Sequence, residues 1–574
     1  MRPLSLLCVL VLAKVLVLWD REFVWTAWTP LAFIWQDLLI VALYAALDSV
    51  VRRPWTSWSV YALLVGYAAI NVPIARALSS PLTVPMLRAA SSTITDSILY
   101  YVTGPNLLRV AAVLVLAFAL PLTLPSLPMV HRVKAMIAVG LLVVLGPVAS
   151  ARVETEGLHR NPVVAFVVTA LPRVAGVLHD ADWSLSSFEA RQSQDLTQWR
   201  GAARGRNIII IHLESTAARY LRSYGAVEDP MPNLTELAAQ AILAENAYTV
   251  YPETIKSLVA VQSAIYPAVD TEAERYEHLP GPTLASLLSM AGYRTGLFHS
   301  GRFRYLGMAE VLRNRGYETL EDAGDIGGKH ESSFGIDEES TLRRMLAWID
   351  AGGERLFHLT YMPIAGHHPY VTPTAGPFLE GHLIGRYRNA LHYSDHIIGS
   401  LVQGLRSRGL LERTLLVIFG DHGEAFGEHA GNFGHSIFIY EENIRVPYLV
   451  VAPGLIRAPI RLGRVVSLVD TAPTVLDLLA LARPASFQGR SILEDRHNMA
   501  LFCTDYSQGL IGLRDERWKF IHNLDSGRSQ LFDLESDPIE RIDLSSQHPE
   551  RVDTYRTHLR RWSANQKHLA AAIP

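Results

Sequence analysis

The sequence predicts a two-part chain: about five transmembrane helices at the N-terminus, then an extracytoplasmic α/β domain built on a largely parallel sheet. Three observations carry this. Apolar stretches of bilayer-spanning length crowd into the first 150 of 574 residues. From Asn207 onward, apolar runs alternate with amphipathic ones, the pattern of strands and their covering helices. Basic residues fall unevenly between the two sides of the apolar segments.

The apolar stretches run over about 3–19, 24–51, 57–79, 107–127 and 133–149. The first lacks a small-x-small cleavage site and is followed by four more, so it reads as a span rather than a leader. With the N-terminus inside, the cytoplasmic segments hold Arg2, Arg52, Arg53, Arg132 and Lys134, and everything after about residue 150 lies outside. The expected location is a bacterial-type cytoplasmic membrane, multi-pass, with the second domain on the outer face. The loop of about 77–106 carries Leu99, Tyr100 and Tyr101 and reads either as an interfacial segment beside that domain or as a plain connection. Residues 151–206 form a linker with a short apolar helix near 162–171, and its polar, Arg-rich end from Gln192 to Arg206 reads as a surface tether. A net charge of -3 with no strongly basic region excludes a nucleic-acid binder, and two cysteines, Cys8 and Cys503, define no disulfide framework.

In the second domain the first strand, Asn207–Leu213, stops at Glu214-Ser215-Thr216. A helix near 232–241 and a strand near 244–250 follow, then Tyr251-Pro252-Glu253-Thr254-Ile255-Lys256-Ser257 and a helix to about Ile265. A third strand, 293–298, ends in His299-Ser300-Gly301-Arg302, and a helix runs through Trp348. A fourth, 356–362, leads to Ala365-Gly366-His367-His368-Pro369-Tyr370, where the proline keeps His368 extended. A long helix over 385–407 precedes the strand Leu415–Phe419, which ends in Gly420-Asp421-His422-Gly423-Glu424. The strand 448–452 and the helix 471–481 complete the pattern.

Ligands of open α/β sheets sit beyond the carboxyl ends of the strands, where Glu214 and Asp421-His422 lie. A carboxylate and an imidazole in sequence suit a divalent cation; alone, the pair reads equally well as a polar turn. Glu214 reads as a metal ligand or as part of a helix-capping cluster with Ser215 and Thr216. Thr254 stands at a helix N-terminus, where the macrodipole and unpaired N–H groups favour a phosphate and an ionising hydroxyl. It is either a nucleophile or an N-cap, and Ser257 is its rival one turn on. Arg302 and Arg304 offer guanidinium forks for anionic oxygens or serve as solvated charges. Glu424, Glu428 and His429 have no assigned role.

Taken together, Glu214, Thr254, His367-x-Pro369-Tyr370 and Asp421-His422-Gly423-Glu424 resemble the alkaline phosphatase superfamily. With five spans in front, the chain is similar to its sulfatase-like membrane branch, the phosphoethanolamine and phosphoglycerol transferases that include lipoteichoic acid synthases. Arg445-Val446-Pro447, Asp470-Thr471-Ala472-Pro473-Thr474 and Leu531-Phe532-Asp533-Leu534-Glu535-Ser536-Asp537-Pro538 are sulfatase-like signatures as well. The resemblance implies a transmembrane domain over 1–150, a linker over 151–206, a sulfatase-like (alkaline phosphatase-type) α/β domain over 207–490 and a small antiparallel C-terminal subdomain over 491–574. It implies metal ligation by Glu214, Thr254, Asp421 and His422, with zinc or manganese as the ion. It implies catalysis by Thr254, His367 and His435, and substrate contacts from His299, Arg302, His367 and His435. The implied reaction moves a phospho-headgroup from a membrane phospholipid to a lipid or glycan acceptor through a covalent threonine. A membrane-anchored phosphodiesterase or sulfatase-like hydrolase is the alternative. True sulfatases oxidise a Cys or Ser in Cys/Ser-x-Pro-x-Arg to an aldehyde; threonine cannot give that product, which weakens the sulfate-ester reading.

Overall fold

The computed structural model describes residues 1–21, 25–90, 94–124, 129–179, 183–188, 194–495 and 499–573. Helices occupy all five apolar stretches: Arg2–Leu18, Thr29–Val50, Pro54–Leu78, Gly104–Thr123 and Met129–Arg152. Four of these regions are long and apolar enough to cross a bilayer, while Arg2–Leu18 has 17 residues. Leu6, Val9, Phe33, Tyr61, Val65 and Val113 share one core, so the shorter helix is packed among the longer ones. Inside the bundle Lys14 Nζ lies 3.0 Å from Asp37 Oδ2, with Asp37 buried and Lys14 partly so. Lys14 also donates to the His159 carbonyl at 2.8 Å, and Asn161 Nδ2 donates to Asp37 Oδ1 at 2.7 Å. A buried ion pair is tolerated only when fully paired and hydrogen-bonded. Here the segment after the last helix completes it, and that segment is thereby fixed to the bundle.

The loop after the third apolar helix holds two short helices, Val84–Ala89 and Thr95–Tyr100. The linker helix, Pro162–Thr169, meets the first of them through Val84 N–H and Thr169 Oγ1 at 3.2 Å. Arg160 joins the two parts of the molecule, donating to Ser80 Oγ at 3.0 Å and to the Ser507 carbonyl at 2.9 Å. The stretch expected as a surface tether is not one over its described residues, 194–206. Leu196 and Ala203 are fully buried in the core of the second domain, and the Gly201 and Ala203 N–H groups donate to Asp477 and Leu478 carbonyls, both at 2.9 Å. The apolar residues spaced among its arginines decide this.

The second domain holds a nine-stranded sheet of β1 (Asn207–Leu213), β2 (Ala241–Tyr248), β3 (Arg294–His299), β4 (Thr319–Glu321), β5 (Phe357–Met362), β6 (Thr414–Gly420), β9 (Arg445–Val446), β10 (Tyr448–Val451) and β11 (Ile460–Ser467). A hairpin of β7 (Ala425–Phe426) and β8 (Phe433–Gly434) lies outside it. The order is β11-β2-β10-β6-β1-β5-β3-β4, with β9 on β2. Pairing is parallel except where β10 runs against β6 and β2, and β9 against β2. One face packs against the helices Glu338–Ala351 and Leu383–Ser407, the other against Thr471–Leu479 and the tether. Strand β1 is buried along its whole length, as its unbroken isoleucine run requires in a sheet covered on both faces. A second, antiparallel sheet of β12 (Ala500–Thr504), β13 (Leu510–Asp515), β14 (Trp518–Asn523) and β15 (Ser529–Asp533) carries the helix Pro549–Ala571 on one face. It shares a core with Tyr251 and Ala260, behind the helix Thr254–Ser263.

Candidate metal centre and catalytic site

Strands β1 and β6 are parallel and in register, with Leu213 beside Gly420. The residues that follow, Glu214 and Asp421, therefore leave the sheet side by side. Ser215 takes a left-handed conformation (φ 52°) and its N–H donates to Asp421 Oδ1 at 3.0 Å. The His422 N–H donates to the same oxygen at 2.8 Å. A left-handed backbone costs about 1 kcal/mol outside glycine, and here it aims an N–H at a carboxylate. The other oxygen, Asp421 Oδ2, is buried and has no hydrogen-bond partner among the described residues. Close approach by the loop after β5 is made possible by Gly366, where an added Cβ would fall 2.2 Å from the Glu214 carbonyl oxygen.

Thr254 is the first residue of the helix Thr254–Ser263, with Glu253 at the N-cap. Its Oγ1 lies 3.2 Å from Glu214 Oε2 and 3.4 Å from His422 Nε2. His422 Nδ1 donates to the Gly423 carbonyl at 3.0 Å, which leaves Nε2 with a free lone pair. That nitrogen stands 3.7 Å from Glu214 Oε1 and 3.6 Å from Asp421 Oδ2. Ligand atoms of Glu214, Asp421 and His422 lie within 4.8 Å of one another, and all three residues are buried. Burial and the charge of Asp421 push the Glu214 carboxyl well above the ordinary range, and burial lowers His422. Two facing carboxylates, one orphaned oxygen and an imidazole lone pair fit a divalent cation, which removes the repulsion that otherwise protonates Glu214. Ser257, the rival of Thr254, is fully buried with an unpartnered Oγ and touches neither Glu214 nor His422.

The His435 ring is tilted 31° to that of His422 at 4.1 Å between centroids and lies 6.2 Å from His367. Its Nδ1 is 2.7 Å from Glu424 Oε2, and Tyr370 donates to Glu424 Oε1 at 2.5 Å. Burial raises Glu424 and pushes His435 down to about 4. His367 donates through Nδ1 to the His368 carbonyl at 2.9 Å, packs under Phe334, and is also lowered to about 4 by burial. Both imidazoles are thus neutral near pH 7.

The other two expected substrate contacts do not converge. His299 is buried, with Nδ1 on the Met362 carbonyl at 2.9 Å and its ring on Phe303, and it touches none of the four expected ligands. Arg302 faces Glu331 at 3.9 Å, because its loop is drawn away by the Phe303 N–H bond to Asp322 Oδ2 at 2.7 Å. Arg304 is exposed. Of the unassigned residues, Glu424 positions His435, Glu428 accepts from Tyr220, and His429 pairs with Glu442 at 2.7 Å. The loop of about 77–106, read from sequence either as a segment beside this domain or as a plain connection, forms a wall of the site. Ser97 Oγ lies 2.9 Å from both Nδ1 and the carbonyl oxygen of His368, and Tyr101 stacks on the His368 ring at 5.6 Å. The two aromatics and the apolar character of that loop were the only signal.

The Sulfatase family profile matches residues 206–481, and that of the N-sulphoglucosamine sulphohydrolase C-terminal region matches 427–561. Bovine arylsulfatase K is 30% identical over 208 residues, 31% of this chain and 38% of that protein. The lipoteichoic acid synthase-like YvgJ of Bacillus subtilis is 22% identical over 310 residues, 50% of this chain and 49% of that protein. The chain therefore spans half or less of these two relatives. Among solved structures, lipoteichoic acid synthase LtaP of Listeria monocytogenes superposes with a TM-score of 0.53 at 19% identity, covering 67% of this chain and 97% of that one. A 2-O GAG sulfatase gives 0.53 at 19% identity, covering 65% and 94%.

Proposed function

We propose, from the match of residues 206–481 to the Sulfatase family profile, that the chain is a membrane-anchored, metal-dependent phosphotransferase of the alkaline phosphatase superfamily. It moves a phospho-headgroup of phosphoethanolamine or phosphoglycerol type from a phospholipid to a lipid or glycan acceptor of the cell envelope. Thr254 is the covalent carrier. The observation that supports this reading is a threonine hydroxyl at a helix start, 3.2 Å from one buried carboxylate and 3.4 Å from an imidazole lone pair.

Glu214, Thr254, Asp421 and His422 would hold zinc or manganese, which supplies Lewis-acid stabilisation of phosphoryl charge and a lowered hydroxyl pKa. In the first half-reaction Thr254 Oγ attacks phosphorus and its proton passes to Glu214 Oε2. The bond from phosphorus to the diacylglycerol oxygen breaks, and that oxygen is protonated by His435 or His367 once the anionic diester between them raises their pKa values. In the second, the acceptor hydroxyl gives its proton to the now neutral imidazole and attacks phosphorus. The bond to Thr254 Oγ breaks, and Glu214 returns the proton. The helix N-terminus faces the phosphoryl oxygens throughout.

The helix Arg2–Leu18, about 26 Å long at 1.5 Å per residue, is the fifth span, and the second domain lies outside the membrane. Hydrolysis uses the same first step with water as acceptor. The deciding experiment follows headgroup fate in reconstituted full-length protein with and without envelope glycolipid. Acceptor-dependent turnover supports transfer. Full turnover to free headgroup phosphate without acceptor would make the chain a phosphodiesterase.

A further inference from the structure

His435 can serve a group bound at Thr254 only if its ring keeps a fixed distance from His422, yet the two stand on different loops. His422 follows β6, whereas His435 follows β8 of the hairpin that lies outside the main sheet. With two residues in each strand, that hairpin is too small to hold itself in place. It leans on the short helix Glu441–Ile444. That helix is anchored to the sheet: the Ile444 carbonyl accepts the Thr249 N–H at 2.9 Å, and Arg445 and Val446 pair with Tyr248 and Ala247 of β2.

Asn443, fully buried in this helix, touches both loops. Its carbonyl accepts the N–H of Gly423, the residue after His422, at 2.8 Å. Only glycine allows that approach, since a Cβ on Gly423 would fall 2.1 Å from the Glu442 carbonyl oxygen. The side-chain Nδ2 of Asn443 lies 3.2 Å from the Gly434 carbonyl oxygen and 3.3 Å from that of His435. The orientation of the amide is fixed from both ends. Carbonyl oxygens only accept, so they require its NH2 edge. At its other edge Oδ1 accepts from Asn432 Nδ2 at 2.7 Å, with a reciprocal contact from Nδ2 to Asn432 Oδ1 at 3.2 Å. The Asn432 amide is set by Glu442, whose Oε1 accepts from its Nδ2 at 2.7 Å and lies 2.7 Å from His429 Nδ1. Asn432, Glu442 and Asn443 are all buried, so none of these bonds can be exchanged for water without cost.

We propose that Asn443 is a positioning residue for phosphoryl transfer. Its main chain holds the loop of His422, its side chain holds the segment of His435, and together they set the 4.1 Å between the two rings. The inference rests on the reading above in which His435 passes protons to and from the reacting oxygens, and it adds what keeps that imidazole within reach. Asn443 acts through His435 and makes no contact with the substrate. Aspartate in its place has the same shape but turns an anionic oxygen toward two carbonyls, while its main chain still accepts the Gly423 N–H. The carbonyl of Ser436 stays held by Thr504 Oγ1 at 2.5 Å, so the segment shifts rather than detaches.

The test is a double-mutant cycle in the full-length protein with bound metal, reading diacylglycerol release from dodecyl maltoside mixed micelles that contain both phosphatidylethanolamine and phosphatidylglycerol. Asn443→Asp is expected to lower kcat about tenfold, with KM, metal content and Tm close to those of the wild-type chain. In a His435→Ala background the same substitution is expected to change kcat by less than about twofold, because the residue it works through is gone. Asn443→Ser, neutral and too short to reach both carbonyls, is expected to give the same pattern and serves if the aspartate variant does not fold. An equal fall in both backgrounds, or a fall that follows loss of metal, would make Asn443 a general structural residue and overturn the inference. So would wild-type kcat in both Asn443 variants. Either result leaves the transfer reading intact. Wild-type kcat in His435→Ala would overturn the part given to His435 and the inference with it, and no diacylglycerol from the wild-type chain would overturn the transfer reading as well.

Discussion

Asp421 uses its two oxygens differently: Oδ1 accepts two backbone N–H groups, while Oδ2 is buried and accepts none among the described residues. Asn at this position keeps the first oxygen and loses the second as an anion. Asp421→Asn is expected to weaken metal binding by about ten- to a hundredfold while unfolding at nearly the wild-type temperature; elemental analysis after dialysis checks it. His358 offers a separate test, on stability. It is fully buried in β5, its Nδ1 has no hydrogen-bond partner among the described residues, and burial lowers it to about 3. Its folded pKa lies below the unfolded value near 6.5, so its contribution is complete above pH 6.5 and is lost as pH falls toward 3. The loss between pH 7 and 4 amounts to about 3 kcal/mol by linkage. His358→Phe should flatten the fall in Tm over that window, and an unchanged slope would assign the acid sensitivity elsewhere. At this scale the sequence already marked Glu214, Thr254, Asp421 and His422 by their places at strand and helix ends. It named Glu424 without a role, because what distinguishes that residue is its burial and its contacts with His435 and Tyr370. It brought Arg302 forward by type, and the anchoring of its loop to Asp322 sent the side chain elsewhere.

Between elements, the site depends on the register of β1 with β6 and on three loops that converge on it. The long apolar strands and the helices were legible because each is a continuous apolar or amphipathic run. Strand β11 was not, since Arg461, Gly463 and Arg464 break its alternation and a register shift falls at the same place. Strand β14 hid Lys519, which is fully buried between Glu441 at 3.2 Å and Glu540 at 2.7 Å. The helix Thr95–Tyr100 and Tyr101 hold His368, and with it the turn that places His367. Replacing Ser97 and Tyr101 together by Ala is expected to lower kcat about tenfold with metal content unchanged. Wild-type kcat in that variant would show that the membrane part merely abuts the site.

For the molecule as a whole, the apolar helix bundle and the sheet domain are joined by the buried Arg160 contacts to Ser80 and Ser507. That joint was invisible in sequence because its partners lie 80 and 347 residues apart. The charge distribution around the apolar helices predicts an orientation with the second domain outside, and labelling checks it. The native cysteines are partly or fully buried, so background is low. A membrane-impermeant maleimide should label Val227→Cys, at a site 93% exposed, on intact cells and should spare Arg53→Cys until the membrane is opened. Reverse labelling would invert the topology. The central claim is the covalent Thr254 intermediate, and peptide mass spectrometry of the full-length protein, quenched in acid after mixing with phospholipid micelles, tests it most directly. The account predicts a phospho-headgroup adduct on Thr254 that requires metal and disappears in Thr254→Ala. An adduct on Ser257, or metal-dependent turnover with no adduct on the peptide that contains both residues, would contradict it.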